Sequence, residues 1–221
     1  MRNISIIVAH PDDETIGCGA TILKLKQLRK NINLLTLSDG VSSRSTNKKA
    51  LEVRKKNFQK VLKSYNFNKF CGYDFPDNSF DKVPLIEIVK KIENFIKVTK
   101  TDTIFTHFGR DLNIDHQKTF EAVVTAARPF PRQTVKNIFC FEVNSSTDWT
   151  FSNRMFKPNM FIDINKFINK KLKILKLYGK EIKKNPHTRS FQNIKRLAEF
   201  RGNSVGYKFC EAFEVYKTEL L

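Results

Sequence analysis

Residues 4–14 read Ile4-Ser5-Ile6-Ile7-Val8-Ala9-His10-Pro11-Asp12-Asp13-Glu14, an apolar, β-branched run that ends at an imidazole and three carboxyl groups. The run over residues 4–9 fits a strand buried on both faces of a parallel sheet, because a strand with one wet face would alternate apolar with polar side chains. Beyond the turn the period changes. Ile16, Ala20, Leu23 and Leu28 recur at helical spacing within residues 14–30, and residues 32–38 return to a strand pattern. Strand, helix, strand in that order is a βαβ unit.

The alternation continues outward from this unit. Residues 47–62 read as helix, 70–75 as a short strand, 85–98 as helix, 103–108 as a buried strand, 117–127 as helix and 135–143 as strand. The last third predicts a long lysine-rich helix over 164–184, a helix over 191–201 and a strand-like stretch over 211–216, packed beside the sheet. Such alternation predicts an α/β, Rossmann-like, doubly wound and mostly parallel sheet flanked by helices. No repeat or low-complexity linker interrupts the chain, so residues 1–221 are expected to form one domain. In open sheets of this kind the site lies beyond the carboxyl ends of the strands, so residues just after Ala9, Ser38, Phe75 and Thr106 should converge.

Composition narrows the function classes. The chain carries 40 Lys+Arg against 22 Asp+Glu, a formal charge of +18, with 40% apolar residues, which excludes disordered and collagen-like chains. A pI near 9.8 is the footprint expected of a nucleic-acid binder. However, most of the cations are lysines scattered over every expected helix, with no arginine-rich tract and no aromatic interleaving for base stacking. A solvated lysine surface without a nucleic-acid partner is the simpler reading, and its field would favour an anionic small substrate. Cys18, Cys71, Cys140 and Cys210 form no CxxC pair and the first residues lack signal-peptide layout, so reduced thiols and a cytoplasmic location are expected. No apolar stretch reaches the ~20 residues of a membrane-spanning helix, so no membrane partner is expected.

Acidic residues at a helix N-terminus have an ordinary use as caps, and this accounts for Glu14. It does not account for His10 with Asp12 and Asp13. Adjacent carboxylates repel unless a cation compensates them, and His with Asp is a nitrogen and oxygen donor set that zinc accepts. A second cluster, Asp111-Leu112-Asn113-Ile114-Asp115-His116, follows the strand ending in Thr106-His107. With His10, Asp13 and His116 it completes a three-ligand site that leaves one position for water.

These residues resemble the PIG-L (LmbE-like) N-acetylglucosaminyl deacetylases, zinc hydrolases marked by an Ala-His-Pro-Asp-Asp-Glu opening and a later Asp-His. Ala9 to Glu14 matches that opening fully. The likeness extends through the 111–116 cluster, Ala126-Ala127-Arg128-Pro129, Arg189-Ser190, Arg201-Gly202 and Glu211-Ala212-Phe213, nearly the whole chain. It implies an LmbE-like fold, one Zn2+ per chain on His10, Asp13 and His116 with other divalent metals open, and Asp12 as the general base in hydrolysis of an N-acyl amide. The chain departs from the family where many relatives carry His-Pro-Asp-His, whose first histidine serves the oxyanion or acts as an acid. Asn113 stands there instead, able to donate an amide N–H, and His107 is the candidate replacement imidazole. By the same resemblance Arg54 and the Pro76-Asp77-Asn78 turn, Asp77 above all, are candidate substrate contacts. Arg189 could hold a phosphate bidentately. His187 is expected to be structural or exposed.

This version of the motifs resembles a branch associated with bacterial sugar and surface-polysaccharide biosynthesis. The implied partner is a small N-acyl amino sugar, with free and nucleotide-linked forms, acetyl and formyl groups, and homo-oligomerisation all left open. Two other readings stand beside it: a basic nucleic-acid-binding module with a structural metal, and a deacetylase of a thiol-linked glucosamine conjugate. A lipid-linked substrate is disfavoured because no extended apolar helix is available to dock on a membrane.

Overall fold

The computed structural model describes residues 1–40, 48–131, 133–151 and 153–219. Its strands are β1 (Asn3–Val8), β2 (Asn31–Ser38), β3 (Lys69–Phe75), β4 (Thr103–His107), β5 (Asn137–Phe141), β6 (Met160–Asp163) and β7 (Cys210–Lys217). Its α-helices are α1 (Asp13–Gln27), α2 (Lys48–Tyr65), α3 (Leu85–Thr99), α4 (Ile114–Ala126), α5 (Ile168–Leu175) and α6 (Phe191–Asn203). The strands form one sheet in the order β3-β2-β1-β4-β5-β7-β6. The first five pair in parallel, and β7 runs antiparallel to both β5 and β6.

The apolar run of β1 is continuous because each face of the sheet has its own core. Ile4, Ile6 and Val8 face a cluster that includes Ile16, Phe58 and Leu175, while Ile7 and Ala9 face one that includes Ile92, Ile96 and Val123. Strand periodicity of two sends alternate residues to opposite faces, so α1, α2 and α5 cover one side and α3 and α4 the other. The strand order reverses direction between β1 and β4, which is where a doubly wound sheet opens a crevice at its carboxyl end.

Several elements differ from the sequence reading. The expected helix over 164–184 is a two-turn α5 followed by a 3-10 segment at Lys176–Glu181, because Gly179 adopts φ 62° and breaks the helical path. Helix α4 begins three residues earlier than its apolar pattern implies, since Asn113 caps it by accepting the N–H groups of Asp115 (2.8 Å) and His116 (3.3 Å). The short strand β6 has no counterpart in the reading, and β7 does not pack beside the sheet but lies within it, between β5 and β6. Asn47, the expected start of the second helix, lies outside the described residues.

Candidate active site

The turn that ends β1 is strained and tightly held. Asp12 sits at φ 120°, a region that non-glycine residues rarely occupy and that persists only where the surroundings impose it. Two side chains impose it. The Asp12 N–H donates to Glu14 Oε2 at 3.0 Å, and the His10 N–H donates to Asp13 Oδ2 at 2.9 Å. Glu14 is therefore more than a helix-end charge. It is fully buried, its Oε1 accepts the hydroxyls of Thr15 and Tyr178 at 2.5 Å each, and burial pushes its carboxyl up to about 7. On the other side Arg54 braces the same turn, donating from Nη2 to the Pro11 carbonyl at 3.0 Å while Nη1 pairs with Glu181. Gly40, at φ 67°, lies so close that a Cβ there would come within 2.9 Å of the Arg54 guanidinium and 3.1 Å of His10.

Three ligand atoms converge above β1 and β4. Asp13 Oδ2 lies 3.3 Å from His10 Nδ1 and 3.3 Å from His116 Nε2, and the three residues offer donor atoms all within 4.8 Å of one another. The other carboxylate oxygen, Asp13 Oδ1, is buried with no hydrogen-bond partner among the described residues. A buried orphan of this kind demands a partner, and a cation between two imidazoles and a carboxylate supplies one.

Each imidazole is aimed from behind by a carboxylate. His10 Nε2 donates to Asp115 Oδ2 at 2.9 Å and lies 3.1 Å from Asp77 Oδ1, which leaves Nδ1 turned towards Asp13. Asp115 is fixed in turn by the N–H groups of Asn78 (2.7 Å) and Phe80 (3.0 Å). His116 Nδ1 lies 3.2 Å from Asp111 Oδ1, and Asp111 accepts the hydroxyls of Ser146 and Thr147. Carboxylate-backed histidines with one nitrogen free are the usual support of a metal centre. The electrostatics agree. Burial alone would lower the pKa of His116, yet the Asp13 and Asp111 carboxylates push it up to about 9, a potential that attracts cations. His10, Asp77 and Asp115 also cluster closely enough to hold an ion, but the Asp115 oxygens already accept two backbone N–H groups, which suits a supporting role.

Residues 5–127, more than half of the sequence, match the family described as PIG-L, GlcNAc-PI de-N-acetylase. The chain belongs to the PIG-L family. It is 24% identical over 136 residues to the uncharacterized deacetylase YaiS of Escherichia coli (strain K12), covering 59% of this chain and 71% of that protein. Its fold superposes on the N,N'-diacetylchitobiose deacetylase of Pyrococcus horikoshii with a TM-score of 0.76 at 18% identity, over 97% of this chain and 83% of that one. It also superposes on GalB, the 4-carboxy-2-hydroxymuconate hydratase of Pseudomonas putida KT2440, with a TM-score of 0.79 at 16% identity, over 100% and 98% of the two chains. Membership in PIG-L makes the chain an amide-cleaving hydrolase of the deacetylase class on an LmbE-like fold. The hydratase shows that the fold by itself does not select the chemistry.

The remaining site residues of this PIG-L chain fall in unequal places. Asp12 is buried, and its Oδ2 lies 3.4 Å from Arg189 Nη1. Burial pushes its carboxyl up to about 6, Asp13 pushes the same way, and Arg189 and Arg54 pull against them. Arg189 also donates from Nε to the Asn144 carbonyl at 3.0 Å. Its guanidinium thus faces Asp12 while the residue also lines a cleft. Asp77 is buried against His10, and Arg54 is engaged with the turn and Glu181, so both shape the site from within.

His107 lies beneath the donors. It is fully buried, its ring stacks on His116 at 3.9 Å between centroids, and its Nε2 accepts the Ala9 N–H at 2.9 Å. The proton is thereby assigned to Nδ1, which has no partner among the described residues. Burial and the neighbouring His116 hold its pKa well below the usual histidine range. Asn113 is half-buried, and its amide Nδ2 donates to Asn78 Oδ1 at 3.2 Å. Sequence reasoning did not assign Tyr178 or Glu181, which carried no local signal, whereas Asn78 lay in the expected Pro76-Asp77-Asn78 turn.

Proposed function

We propose that this chain is a zinc-dependent N-deacetylase of a small amino sugar, free or nucleotide-linked, acting in the cytoplasm in sugar or surface-polysaccharide biosynthesis. The observation that carries the reading is the pairing of a buried Asp12, held at strained φ beside Arg189, with the His10, Asp13 and His116 donors and their orphaned carboxylate oxygen. His10, Asp13 and His116 would hold a divalent ion, which would supply Lewis-acid polarisation and a more acidic water. Asp12 takes a proton from the water that adds to the carbonyl carbon. Arg189 fixes the direction of that carboxylate, and the surrounding turn keeps Asp12 and Asp13 in separate roles although they are adjacent. The C–N bond then breaks and the nitrogen departs as an amine once it has received a proton.

A cleft of about 350 Å³, lined by Asn113, Ser146, Glu181, Lys183, His187 and Arg189 among others, has the size of a small-molecule site. The sugar reading draws support from the P. horikoshii relative, whose name places its activity on an N-acetylated amino sugar. For the location, all four cysteines are free, and no described helix is long and apolar enough to cross a membrane.

The test is amine and acetate release from N-acetylglucosamine and its uridine-diphosphate-linked form. Equal amounts of both products, lost on chelation and restored by Zn2+, are expected. Preference for the nucleotide-linked probe would place the cationic surface in substrate capture. No release from any N-acyl amino sugar by the metal-loaded protein would overturn the proposal.

A further inference from the structure

The Pro11–Asp12 peptide group is gripped at both of its polar atoms. Arg54 Nη2 donates to the Pro11 carbonyl at 3.0 Å, and the Asp12 N–H donates to Glu14 Oε2 at 3.0 Å. The group is planar, so its orientation sets φ of Asp12 on one side and ψ of Pro11 on the other. Held at one atom the plane can pivot. Held at both, it keeps Asp12 at φ 120°, a conformation that a non-glycine residue leaves unless its surroundings prevent it. Both grips lead back to one remote segment, Lys176–Glu181. Tyr178 donates its hydroxyl to Glu14 Oε1 at 2.5 Å, and Glu181 pairs with Arg54. We infer that Tyr178 is a positioning residue for Asp12, acting through Glu14 on the Pro11–Asp12 peptide plane; the inference rests on the deacetylase reading for what Asp12 does.

Glu14 can hold the Asp12 N–H only if its own carboxylate is fixed. Its Oε1 accepts two hydroxyls, those of Thr15 and Tyr178. Thr15 is the next residue and travels with the turn, so it gives no outside reference. Tyr178 does, because its ring is set by packing that owes nothing to the hydroxyl: it is buried in the core and stacks on Phe58 with 6.4 Å between ring centroids. Burial and the Glu14 carboxylate push the phenol pKa well up, so the hydroxyl keeps its proton and donates. The three groups that meet the Glu14 oxygens are all donors, which suits a carboxylate acceptor.

The two arms of the grip leave one short stretch of chain in different directions. Gly179, at φ 62°, turns the backbone between Tyr178 and Glu181 and lets their side chains reach opposite ends of the same peptide plane. The Asp12 carboxylate is steered separately, with Oδ2 at 3.4 Å from Arg189 Nη1. Arg189 thus directs the head of the side chain and Tyr178 fixes the backbone it hangs from. No printed bond of Tyr178 touches His10, Asp13 or His116, so the metal donors stand outside this path.

The deciding experiment compares wild type with Tyr178→Phe, which keeps the ring and removes only the hydroxyl. On metal-loaded protein, kcat and KM are measured with N-acetylglucosamine and its uridine-diphosphate-linked form, and hydrogen exchange of the Asp12 amide is followed by NMR. The variant should lose about 10- to 100-fold in kcat at unchanged KM and metal content, the scale expected when a reacting group is misplaced from a distance. Its Asp12 amide should exchange about 10-fold faster or more. On a Glu14→Gln background the same substitution should change kcat by less than about 2-fold, because both act through one hydrogen bond. Where that background does not fold, the single variant decides. With an active wild type, a Tyr178→Phe protein at wild-type kcat or wild-type Asp12 exchange overturns the inference, as does a loss that multiplies in full with that of Glu14→Gln or that tracks loss of metal. A wild type that releases no amine overturns the deacetylase reading instead; faster Asp12 exchange in the variant then still supports the grip, and unchanged exchange overturns it.

Discussion

Two buried clusters of charge lie along α1, and they are built on opposite terms. Near its middle the helix is interrupted at Cys18, and the freed backbone groups are taken by a buried ion pair. Lys171 Nζ donates to Glu211 Oε1 at 2.6 Å and to the Ile16 carbonyl at 2.7 Å, while the Glu211 oxygens accept the N–H groups of Ala20 (3.0 Å) and Thr21 (2.7 Å). At the N-terminal end, Asp12 is strained, Asp13 keeps an orphaned oxygen, and two imidazoles and a carboxylate bring their donor atoms together. The mutual engagement of Lys171, Glu211 and the helix backbone marks the first cluster as a clasp that holds the helix. Incomplete satisfaction marks the second as a place prepared for something else.

The largest effect that separates the two comes from Asp12. Asp12→Asn should lower kcat by about 10²–10⁴, the usual worth of a positioned base, while metal content and unfolding midpoint hold. Parallel loss of metal in this variant would merge the roles of Asp12 and Asp13. The mirror experiment is Lys171→Met, which leaves Glu211 charged and uncompensated. It should cost roughly 3–5 kcal/mol in urea unfolding, with kcat per folded molecule unchanged. Adding Glu211→Gln should recover part of that loss. A fall in kcat at full stability would instead make the clasp part of the site.

A smaller effect tests the carboxylates behind the histidines. Asp111→Asn and Asp115→Asn should each weaken metal affinity about 10- to 100-fold, measured by competition with a chelator, because the imidazoles lose orientation and basicity. Unchanged affinity in both would reduce these residues to local hydrogen bonding in their loops.

Much of this was legible in the sequence, and for a physical reason. The β1 run and its alternation with helices follow from burial on two faces, and a crevice beyond the strand ends follows from the doubly wound order. The convergence of His10, Asp13 and His116 donor atoms was legible because residue type and strand-end placement coincide. The clasp was not, since Lys171 and Glu211 are 40 residues apart and meet only through the antiparallel insertion of β7, which periodicity does not announce. The surroundings of His107 were hidden for a related cause. Proximity to the motif singled out His107, whereas its complete burial is a property of the folded chain. The interrupted helix after residue 164 turned on the conformation of one residue, Gly179, within an otherwise helical pattern.

The smallest effect concerns Asn113, which belongs to both regions in kind: it stands at the cleft, yet its carbonyl is fully engaged as the cap of α4. Asn113→Ala should cost about 1 kcal/mol of stability through loss of that cap, seen as a lower urea midpoint. Asn113→Ser keeps an acceptor for the Asp115 and His116 N–H groups but removes the amide that donates to Asn78. Wild-type stability and kcat in the serine variant would assign Asn113 to the clasp-like class, a group whose bonds are all internal. Wild-type stability with kcat reduced by roughly 10²-fold or more would assign it to the unsatisfied class, its N–H turned in the transition state towards the developing oxyanion. The geometry favours the first outcome, because the amide already has a partner at 3.2 Å and its oxygen holds the helix turn that carries His116.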